Sequence, residues 1–259
     1  MSIKTNFHTH TTRCLHASGS DEEYVLKAIE LGYKTLGFSD HAPYPDNRLG
    51  LRMKYNELDE YYSSINNLKK KYKNEIEILI GLEIEYDKSV HSYYEKLLEK
   101  FDYLLLGQHV TPHKGKLINN FELTNTDDYV LYAESISEAL ETGYFSILAH
   151  PDLVLLNPFA WDENCNKACD IIVNAAKKNN IILELNANGI NRGLKEYPDG
   201  IRYPYPNKKF FEKVSKENLP VIISADAHNP NNLGSESLNI ALNLAREWNL
   251  NIVDDFRNK

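Results

Sequence analysis

Two histidines at the end of the first predicted strand constrain this chain more than any other feature. His8 and His10 follow a short β-rich stretch, residues 3–7. Side chains alternate between the two faces of a strand, so residues two apart point the same way. Neutral imidazole is the commonest transition-metal ligand. The pair therefore indicates a metal site at a strand end, although one exposed and one hydrogen-bonded histidine would also explain an isolated pair.

Short β-rich stretches alternate with stretches of helical periodicity along the chain. We predict seven strands, at residues 3–7, 35–39, 76–84, 103–107, 145–149, 181–185 and 221–224. We predict seven helices, at residues 24–31, 56–72, 89–100, 127–142, 165–179, 208–217 and 233–248. Such alternation is typical of a parallel sheet covered by helices. Seven strand–helix units favour closure of this α/β chain into a barrel, and the glycine fingerprint of an open dinucleotide-binding sheet is missing.

Length and composition narrow the class of protein. The 259 residues fit one α/β barrel, so we expect residues 1–259 to form a single domain. A formal charge of −8 argues against a nucleic-acid-binding protein, which would usually be basic. Three cysteines are too few for a disulfide framework, and we find neither a signal sequence nor a membrane-spanning run. We therefore expect a cytoplasmic protein that contacts no membrane, with its oligomeric state left open.

The residues that could bind metal ions cluster at strand ends. Seven of the nine histidines fall at or just beyond the end of a predicted strand: His8, His10, His16, His41, His109, His150 and His228. Glu83 lies at the end of the third predicted strand, and Asp226 lies two residues before His228. In barrels, the carboxyl ends of the strands form one rim, where active sites lie. Independent surface histidines would scatter over both ends. Their joint placement therefore predicts a metal centre at this rim.

These residues carry a resemblance to a known family. The motifs are His8-Thr9-His10, Asp40-His41, Glu83, Gln108-His109, His150 and Asp226-Ala227-His228. As a set they resemble the polymerase and histidinol phosphatase (PHP) metallohydrolases. Residues 38–43, followed by Arg52-Met53 and Glu57-Leu58, resemble the stand-alone histidinol-phosphate phosphatase branch. The resemblance implies a distorted seven-stranded (β/α)7 TIM-like barrel with a trinuclear metal site at its carboxyl-terminal rim.

The resemblance also implies which residues hold each ion. One ion would be held by His8, His10, Glu83 and Asp226, and a second by Glu83, His109 and His150, so that Glu83 bridges the two. The third would be held by His16, His41 and His228. Nitrogen and oxygen ligands suit zinc, manganese or iron, and the sequence does not choose among them. Asp40 and Gln108 are expected either to orient these ligands or to have a purely structural role.

Such a site predicts a hydrolase. We expect hydrolysis of a small phosphate monoester, with L-histidinol phosphate giving L-histidinol and inorganic phosphate, through attack by a hydroxide held between two ions. Nucleic acid is not an expected partner. One alternative is a phosphatase or phosphodiesterase of the same family that acts on nucleotides or another metabolite. Another is a metal-binding accessory module without activity.

Two residues are candidates for the catalytic steps. Arg192, after the sixth predicted strand, carries the fork of donors that suits a phosphate edge. Asp226 is a candidate for returning a proton to the leaving group, although a role as metal ligand alone is equally consistent with its position. Histidinol phosphatases that the chain resembles tend to carry another arginine after the fifth strand, but none occurs between His150 and Arg192. An acidic loop residue should face the substrate amine, and four are candidates: Asp46, Glu122, Asp152 and Asp199.

Overall fold

The computed structural model describes residues 3–258, and its centre is a curled, eight-stranded parallel sheet. In their order across the sheet, and numbered along the chain, the strands are β1 (Thr5–Asn6), β2 (Thr35–Phe38), β3 (Glu77–Ile84), β4 (Tyr103–Leu106), β7 (Ile147–Leu148), β8 (Ile182–Asn186), β11 (Pro220–Ser224) and β12 (Asn251–Ile252). Two antiparallel hairpins lie outside this sheet: β5 (Val110–His113) with β6 (Lys116–Asn119), and β9 (Lys195–Tyr197) with β10 (Gly200–Arg202).

Helices connect the strands and cover the convex face of the sheet. Those of the described residues are α1 (Asp21–Glu30), α2 (Leu58–Lys71), α3 (His91–Leu98), α4 (Asp127–Glu141), α5 (Glu163–Asn179), α6 (Asn188–Asn191), α7 (Lys208–Lys216) and α8 (Glu236–Glu247). A capping box begins α1: the Ser20 hydroxyl accepts from the Glu23 N–H, and the Glu23 carboxylate accepts from the Ser20 N–H. In this part of the chain, none of the helices has the length and apolar character needed to cross a membrane.

All seven predicted strands are present in the sheet, but the predicted count of seven is one too low. The eighth strand, β12, has two residues and pairs with Pro220 and Val221 at the amino end of β11. A two-residue strand has no sequence periodicity, so it could not be distinguished from a loop. The two hairpins lie between a predicted strand and the next predicted helix, in stretches for which neither was predicted. All seven long helices match predicted helices, with ends that shift by a few residues.

The chain segments that follow β1 and β11 pair at the carboxyl end of the sheet. Thr9 and Ala227 form an isolated parallel bridge beyond β1 and β11. The His10 N–H donates to the Ala227 carbonyl at 2.9 Å, and the Ala227 N–H donates to the His8 carbonyl at 3.1 Å. The backbone hydrogen bonds therefore bring the first and last predicted strands together where the predicted metal ligands lie.

The concave face of the sheet has its own core, separate from the core under the helices. It consists of Phe7, Leu79, Tyr103, Leu105, Ile147, Ala149, Ile182, Ile222 and Phe256. Because alternate residues share a face, the strands that supply this apolar layer supply polar side chains nearer their carboxyl ends. Leu79 is followed on its face by Gly81 and Glu83, and Ile182 is followed by Glu184. The inner core is thus the floor on which the polar site rests.

Candidate metal centre

Glu83, at the end of β3, is the centre of the site. Its Oε2 lies 3.2 Å from His8 Nε2, 3.4 Å from His10 Nε2 and 3.0 Å from His41 Nδ1. Its Oε1 lies 2.9 Å from His150 Nε2 and 3.4 Å from His109 Nε2. One buried carboxylate therefore faces imidazoles that follow four other strands.

The neighbouring strand makes room for this carboxylate. Gly107, just beyond β4, lies directly beneath the Glu83 side chain. A Cβ atom at position 107 would collide with the Glu83 carboxylate. Glycine is therefore required there by the close approach of Glu83.

Asp226 forms a second point of convergence, beyond the end of β11. Its Oδ1 lies 3.1 Å from His10 Nε2, 3.3 Å from His228 Nδ1 and 3.6 Å from His8 Nε2. Its other oxygen, Oδ2, accepts from the side-chain amides of Asn186 and Asn188, each at 3.2 Å. The two amides hold the carboxylate so that Oδ1 points at the histidines.

His16 joins the cluster from the loop after β1. Its Nε2 lies 2.9 Å from Nε2 of His228, and its Nδ1 lies 2.7 Å from the Cys14 carbonyl. The structure thus brings all nine predicted ligands to one rim: His8, His10, His16, His41, Glu83, His109, His150, Asp226 and His228.

Several buried polar atoms of this cluster make no hydrogen bond within the described residues. They are His8 Nε2, His10 Nδ1 and Nε2, His41 Nδ1, His150 Nδ1, Glu83 Oε2 and Asp226 Oδ1. Unsatisfied buried polar groups are costly, and most proteins avoid them. Here nitrogen and oxygen atoms face one another at short distances without the alignment of a hydrogen bond. Neutral imidazole and carboxylate ligands converging on common points fit divalent cations.

The pKa values of these groups reflect how closely they are packed. Burial would lower the pKa of His8, but the carboxylates of Glu184, Asp226 and Glu83 raise it well above its ordinary value. Burial and the neighbouring His10 lower the pKa of His228 to about 3. Burial would raise the pKa of Glu83, but His8, His109 and His41 lower it well below its usual range. The carboxylates of the site are therefore ionised and available as ligands.

Some side chains whose possible ligand atoms lie within 4.8 Å of one another were predicted to bind different ions. His8 groups with Glu83 and His150, and also with His10 and Asp226. His10 groups in addition with His41 and His228, which were predicted to belong to a different ion. His16 groups with His228 and with Cys14, a buried thiol that was not predicted near the site. The site is more continuous than three separate sets would suggest.

Asp40 and Gln108, the two predicted supporting residues, differ in what they contact. Asp40 Oδ1 lies 3.6 Å from His10 Nδ1 and accepts from the His41 N–H at 2.9 Å. Asp40 therefore supports two predicted ligands. The Gln108 amide instead bonds to backbone, accepting from the Tyr86 N–H and donating to the Val110 carbonyl, each at 2.8 Å. These contacts agree with a structural role for Gln108 rather than with orientation of a ligand.

Two buried glutamates that sequence reasoning missed orient histidines of the site. Glu184 Oε1 lies 2.8 Å from His8 Nδ1, and Glu85 Oε1 lies 2.9 Å from His109 Nδ1. Glu184 lies inside β8 rather than at its end, which is why a search of strand ends passed over it. The available signal was an ionisable residue on the inward face of an otherwise apolar strand, Ile182–Asn186.

The cluster forms the floor of a pocket of about 550 Å³. Arg192 lies on its wall, with the guanidinium carbon 5.8 Å from the ring centre of Phe121 and 5.7 Å from that of Tyr205. Within residues 3–258, no carboxylate oxygen lies within 4.0 Å of this guanidinium. Three other loop arginines pair with carboxylates instead: Arg48 with Asp46 and Asp87, Arg52 with Glu85, and Arg202 with Asp199. Arg192 is thus placed to meet an anion.

None of the four acidic residues expected to face a substrate amine is among the described residues that line this pocket. Asp152 is buried and accepts from the Asn207 N–H at 2.6 Å. Burial raises the pKa of Asp152 to about 6. Asp46 and Asp199 are paired with arginines. The wall of this pocket therefore contains none of the four carboxylates, and an amine contact by one of them stays a prediction.

Comparison with known proteins assigns the family. The model of the PHP domain matches residues 6–188, which is most of the chain. The chain belongs to the PHP domain family. The predicted resemblance is therefore confirmed.

Relatives of this PHP protein include two proteins named for one activity. It is 24% identical over 263 residues to the histidinol-phosphatase of Bacillus subtilis, a match that covers 89% of this chain and 96% of the relative. It is 25% identical over 239 residues to a probable histidinol-phosphatase of Deinococcus radiodurans, covering 88% and 87%.

A solved structure shows the fold. The histidinol phosphate phosphatase of Lactococcus lactis, crystallised with zinc, L-histidinol and phosphate, superposes with a TM-score of 0.69 and 17% identity, covering 97% of this chain and 95% of that one. The chain therefore has the α/β fold with a curled parallel sheet that this structure represents.

Proposed function

We propose that this PHP protein is a metal-dependent phosphatase that hydrolyses L-histidinol phosphate to L-histidinol and phosphate. The observation that carries the proposal is the Glu83 carboxylate, which lies within 3.4 Å of five imidazoles on the floor of an open pocket. The names of the relatives from B. subtilis and D. radiodurans support the choice of substrate. A small phosphorylated metabolite and inorganic phosphate are the proposed binding partners.

The proposal includes three divalent ions, of zinc, manganese or iron, at the carboxyl rim of the curled parallel sheet. The residues that would hold them are the nine that converge there, with Glu83 shared. The chemistry that such ions supply when bound is polarisation of phosphate oxygens and a lower pKa for water. Zinc in the L. lactis structure supports a metal site of this kind. Removal of metal with a chelator is expected to abolish hydrolysis, and added zinc or manganese to restore it.

Arg192 is proposed to bind the phosphate group. Its planar side chain lies near the faces of Phe121 and Tyr205, which limit its orientation on the pocket wall. Charge-assisted hydrogen bonds of this type contribute about 1.5–3 kcal/mol. Arg192→Ala is therefore expected to lower kcat/KM by roughly 10- to 100-fold, mainly through KM. Arg48→Ala, which removes an arginine that does not line the pocket, serves as the control, and equal kinetics of the two variants would remove Arg192 from the site.

Asp226 is proposed first as a ligand and second as the group that returns a proton to the leaving alcohol. Two amides already donate to its Oδ2, and they favour the ionised carboxylate. A proton carried by Asp226 would therefore reside on Oδ1, the oxygen that faces His10 and His228. This arrangement supports the ligand role more strongly than the proton-transfer role.

Hydrolysis of a panel of phosphate esters by the metal-reconstituted protein tests the proposed reaction. We expect L-histidinol phosphate to have the highest kcat/KM among monoesters, and monoesters to react faster than bis(4-nitrophenyl) phosphate. Equal turnover of many monoesters would contradict the named substrate. Faster cleavage of the diester would favour the nuclease-like alternative, and no turnover with metal bound would favour an accessory module.

A further inference from the structure

Glu184 is a buried carboxylate that the proposed reaction leaves without a role. It lies on β8, and its side chain is fully buried beneath the metal centre. It is not among the described residues that line the pocket. Within residues 3–258, no lysine or arginine nitrogen lies within 4.0 Å of its carboxylate. A buried, ionised carboxylate without a cationic side chain is costly unless other groups satisfy it.

Both oxygens of Glu184 accept from groups that belong to the site. Oε1 lies 2.8 Å from His8 Nδ1. Oε2 accepts from the backbone N–H of His150 at 2.9 Å and from the Asn186 side-chain amide at 2.8 Å. One side chain therefore contacts predicted ligands from two different strands, β1 and β7.

The contact with His8 determines which ring nitrogen is free. A carboxylate oxygen can only accept, so His8 Nδ1 must carry a hydrogen. In the neutral ring that a metal ion requires, the lone pair is then on Nε2, which faces Glu83 Oε2 at 3.2 Å and makes no hydrogen bond. Partners of this kind set the tautomer and the orientation of metal-binding histidines.

The contact with His150 holds an unusual backbone conformation. His150 has a φ of 28°, in the left-handed region that residues with a Cβ seldom adopt. Such conformations cost about 1–3 kcal/mol and persist where surrounding contacts fix them. The Glu184 oxygen that accepts from the His150 N–H is one such contact, and it places the His150 ring so that Nε2 lies 2.9 Å from Glu83.

We propose that Glu184 is a positioning residue, which sets the tautomer of His8 and the backbone of His150 and so directs both rings towards the metal centre. This inference rests on the proposed function only in treating His8 and His150 as ligands. Its tautomer component concerns the neutral His8 ring of the zinc-loaded protein and can be tested without any activity.

Glu184→Gln is the decisive variant because the surroundings dictate how the amide must orient. Two donors converge on the position of Oε2, so the amide oxygen of glutamine must occupy it. The amide NH2 group then faces His8 Nδ1, which must become an acceptor. The hydrogen of His8 would move to Nε2, the nitrogen that should bind metal.

The experiment compares wild type, Glu184→Gln and Glu77→Gln, each with 15N-labelled histidine rings. Glu77 supplies a matched control because it lies at the amino end of β3, paired with Arg257. In the zinc-loaded proteins, in which the His8 ring is neutral, we expect His8 Nδ1 to be protonated in wild type and Glu77→Gln, and unprotonated in Glu184→Gln. We expect zinc affinity, measured by competition with a chromophoric chelator, to fall roughly 10- to 100-fold in Glu184→Gln only.

Each result decides between alternatives. A protonated His8 Nδ1 together with zinc affinity within twofold of wild type in Glu184→Gln would overturn the proposal. If Glu184→Gln does not fold, Glu184→Asp takes its place, because aspartate keeps the negative charge and its carboxylate can only accept. Glu184→Asp should retain the wild-type tautomer of His8, and loss of that tautomer would equally overturn the proposal. A wild-type protein that binds zinc with the expected tautomer but hydrolyses no phosphate ester would refute the proposed function and leave this inference standing.

Discussion

The candidate metal centre has two flanks, each with a buried glutamate that accepts from a histidine Nδ1, and the two glutamates differ in their other partners. On one flank, Glu85 accepts from His109 Nδ1, and on the other, Glu184 accepts from His8 Nδ1. Glu85 is also held by the Arg52 guanidinium through contacts of 2.9 and 3.0 Å, whereas Glu184 is held by neutral amide donors. The Glu85 carboxylate is therefore paired with an arginine, whereas the partners of the Glu184 carboxylate other than His8 are neutral amides.

The difference indicates separate tasks for the two flanks. Burial would raise the pKa of Glu85, but Arg52 and His109 lower it to about 2. Arg52 also donates to the Gly50 carbonyl, so this flank fastens a loop to the wall of the pocket. On the other flank, the charge of Glu184 makes His8 more basic and therefore a better donor to a cation. We infer that one flank mainly stabilises the fold around the site and the other mainly tunes it.

The largest expected effect comes from removing the group on which both flanks converge. Glu83→Gln replaces the oxygen charge that faces five imidazoles. Turnover should fall to that of the metal-free protein, with a matching loss of bound metal in elemental analysis. Near-normal activity of this variant would show that the two flanks do not serve a common centre.

The next effect tests the Glu85 flank as a stabilising unit. Arg52→Met leaves the Glu85 carboxylate buried without its cation, and such a loss costs about 3–5 kcal/mol. Urea unfolding of the metal-free protein at pH 7 measures it. In the double variant with Glu85→Gln, most of the stability should return because no unpaired charge remains. A loss below about 1 kcal/mol for Arg52→Met would place this pair among ordinary surface ion pairs.

Acid should reduce the difference in stability between wild type and Arg52→Met. The pKa of Glu85 is about 2 in the folded protein, against an ordinary value of 4.5. A lowered pKa contributes stability that is complete above the ordinary value and is lost as the pH falls towards the folded one. The gap in unfolding free energy between wild type and Arg52→Met should therefore narrow between pH 5 and pH 2. A gap that stays constant over this range would separate the stabilisation from the ionisation of Glu85.

The zinc affinity of Glu85→Gln, compared with that of Glu184→Gln, tests the two flanks against each other, and the expected effect is smaller. In Glu85→Gln the amide oxygen can take the place of Oε1 and still accept from both His109 and Arg52. His109 should therefore keep its tautomer, and zinc affinity should fall by less than about tenfold, less than in Glu184→Gln. An equal or greater loss, measured with the same chelator, would reverse the assignment of tasks.

The smallest effect lies away from both flanks. Glu77 and Arg257 form a half-exposed pair at the amino end of β3. Arg257→Ala should cost less than about 1 kcal/mol and leave zinc binding unchanged. A large loss of metal in this variant would show that general destabilisation, rather than local geometry, controls the site.

The sequence predicted the strands, the long helices and the residues that converge at the site, but it missed the two glutamates that orient the histidines. Strand–helix alternation located every long strand and helix, because each carries a strong hydrophobic pattern. The nine predicted ligands lie together because they follow strand ends, where parallel strands converge. Glu184 and Glu85 were missed because nothing in local sequence says which histidine nitrogen a carboxylate will face. Likewise, β12 depends on pairing with β11 and has no signal of its own.

The ion pairs of the loop arginines could not be predicted from the sequence either. Arg48, Arg52 and Arg192 all lie in loops at the same rim, and composition alone does not separate them. Only the folded structure shows that Arg48 and Arg52 face carboxylates, while Arg192 lies between aromatic rings. The identity of a phosphate-binding arginine depends on which cations already have partners.

Anomalous scattering from crystals of the zinc-loaded protein tests the central claim most directly. We expect three zinc peaks at the rim, with Glu83 shared between two of them and His8 bound through Nε2. Absence of anomalous density between these side chains in zinc-saturated protein, or histidines turned away from Glu83, would contradict the account.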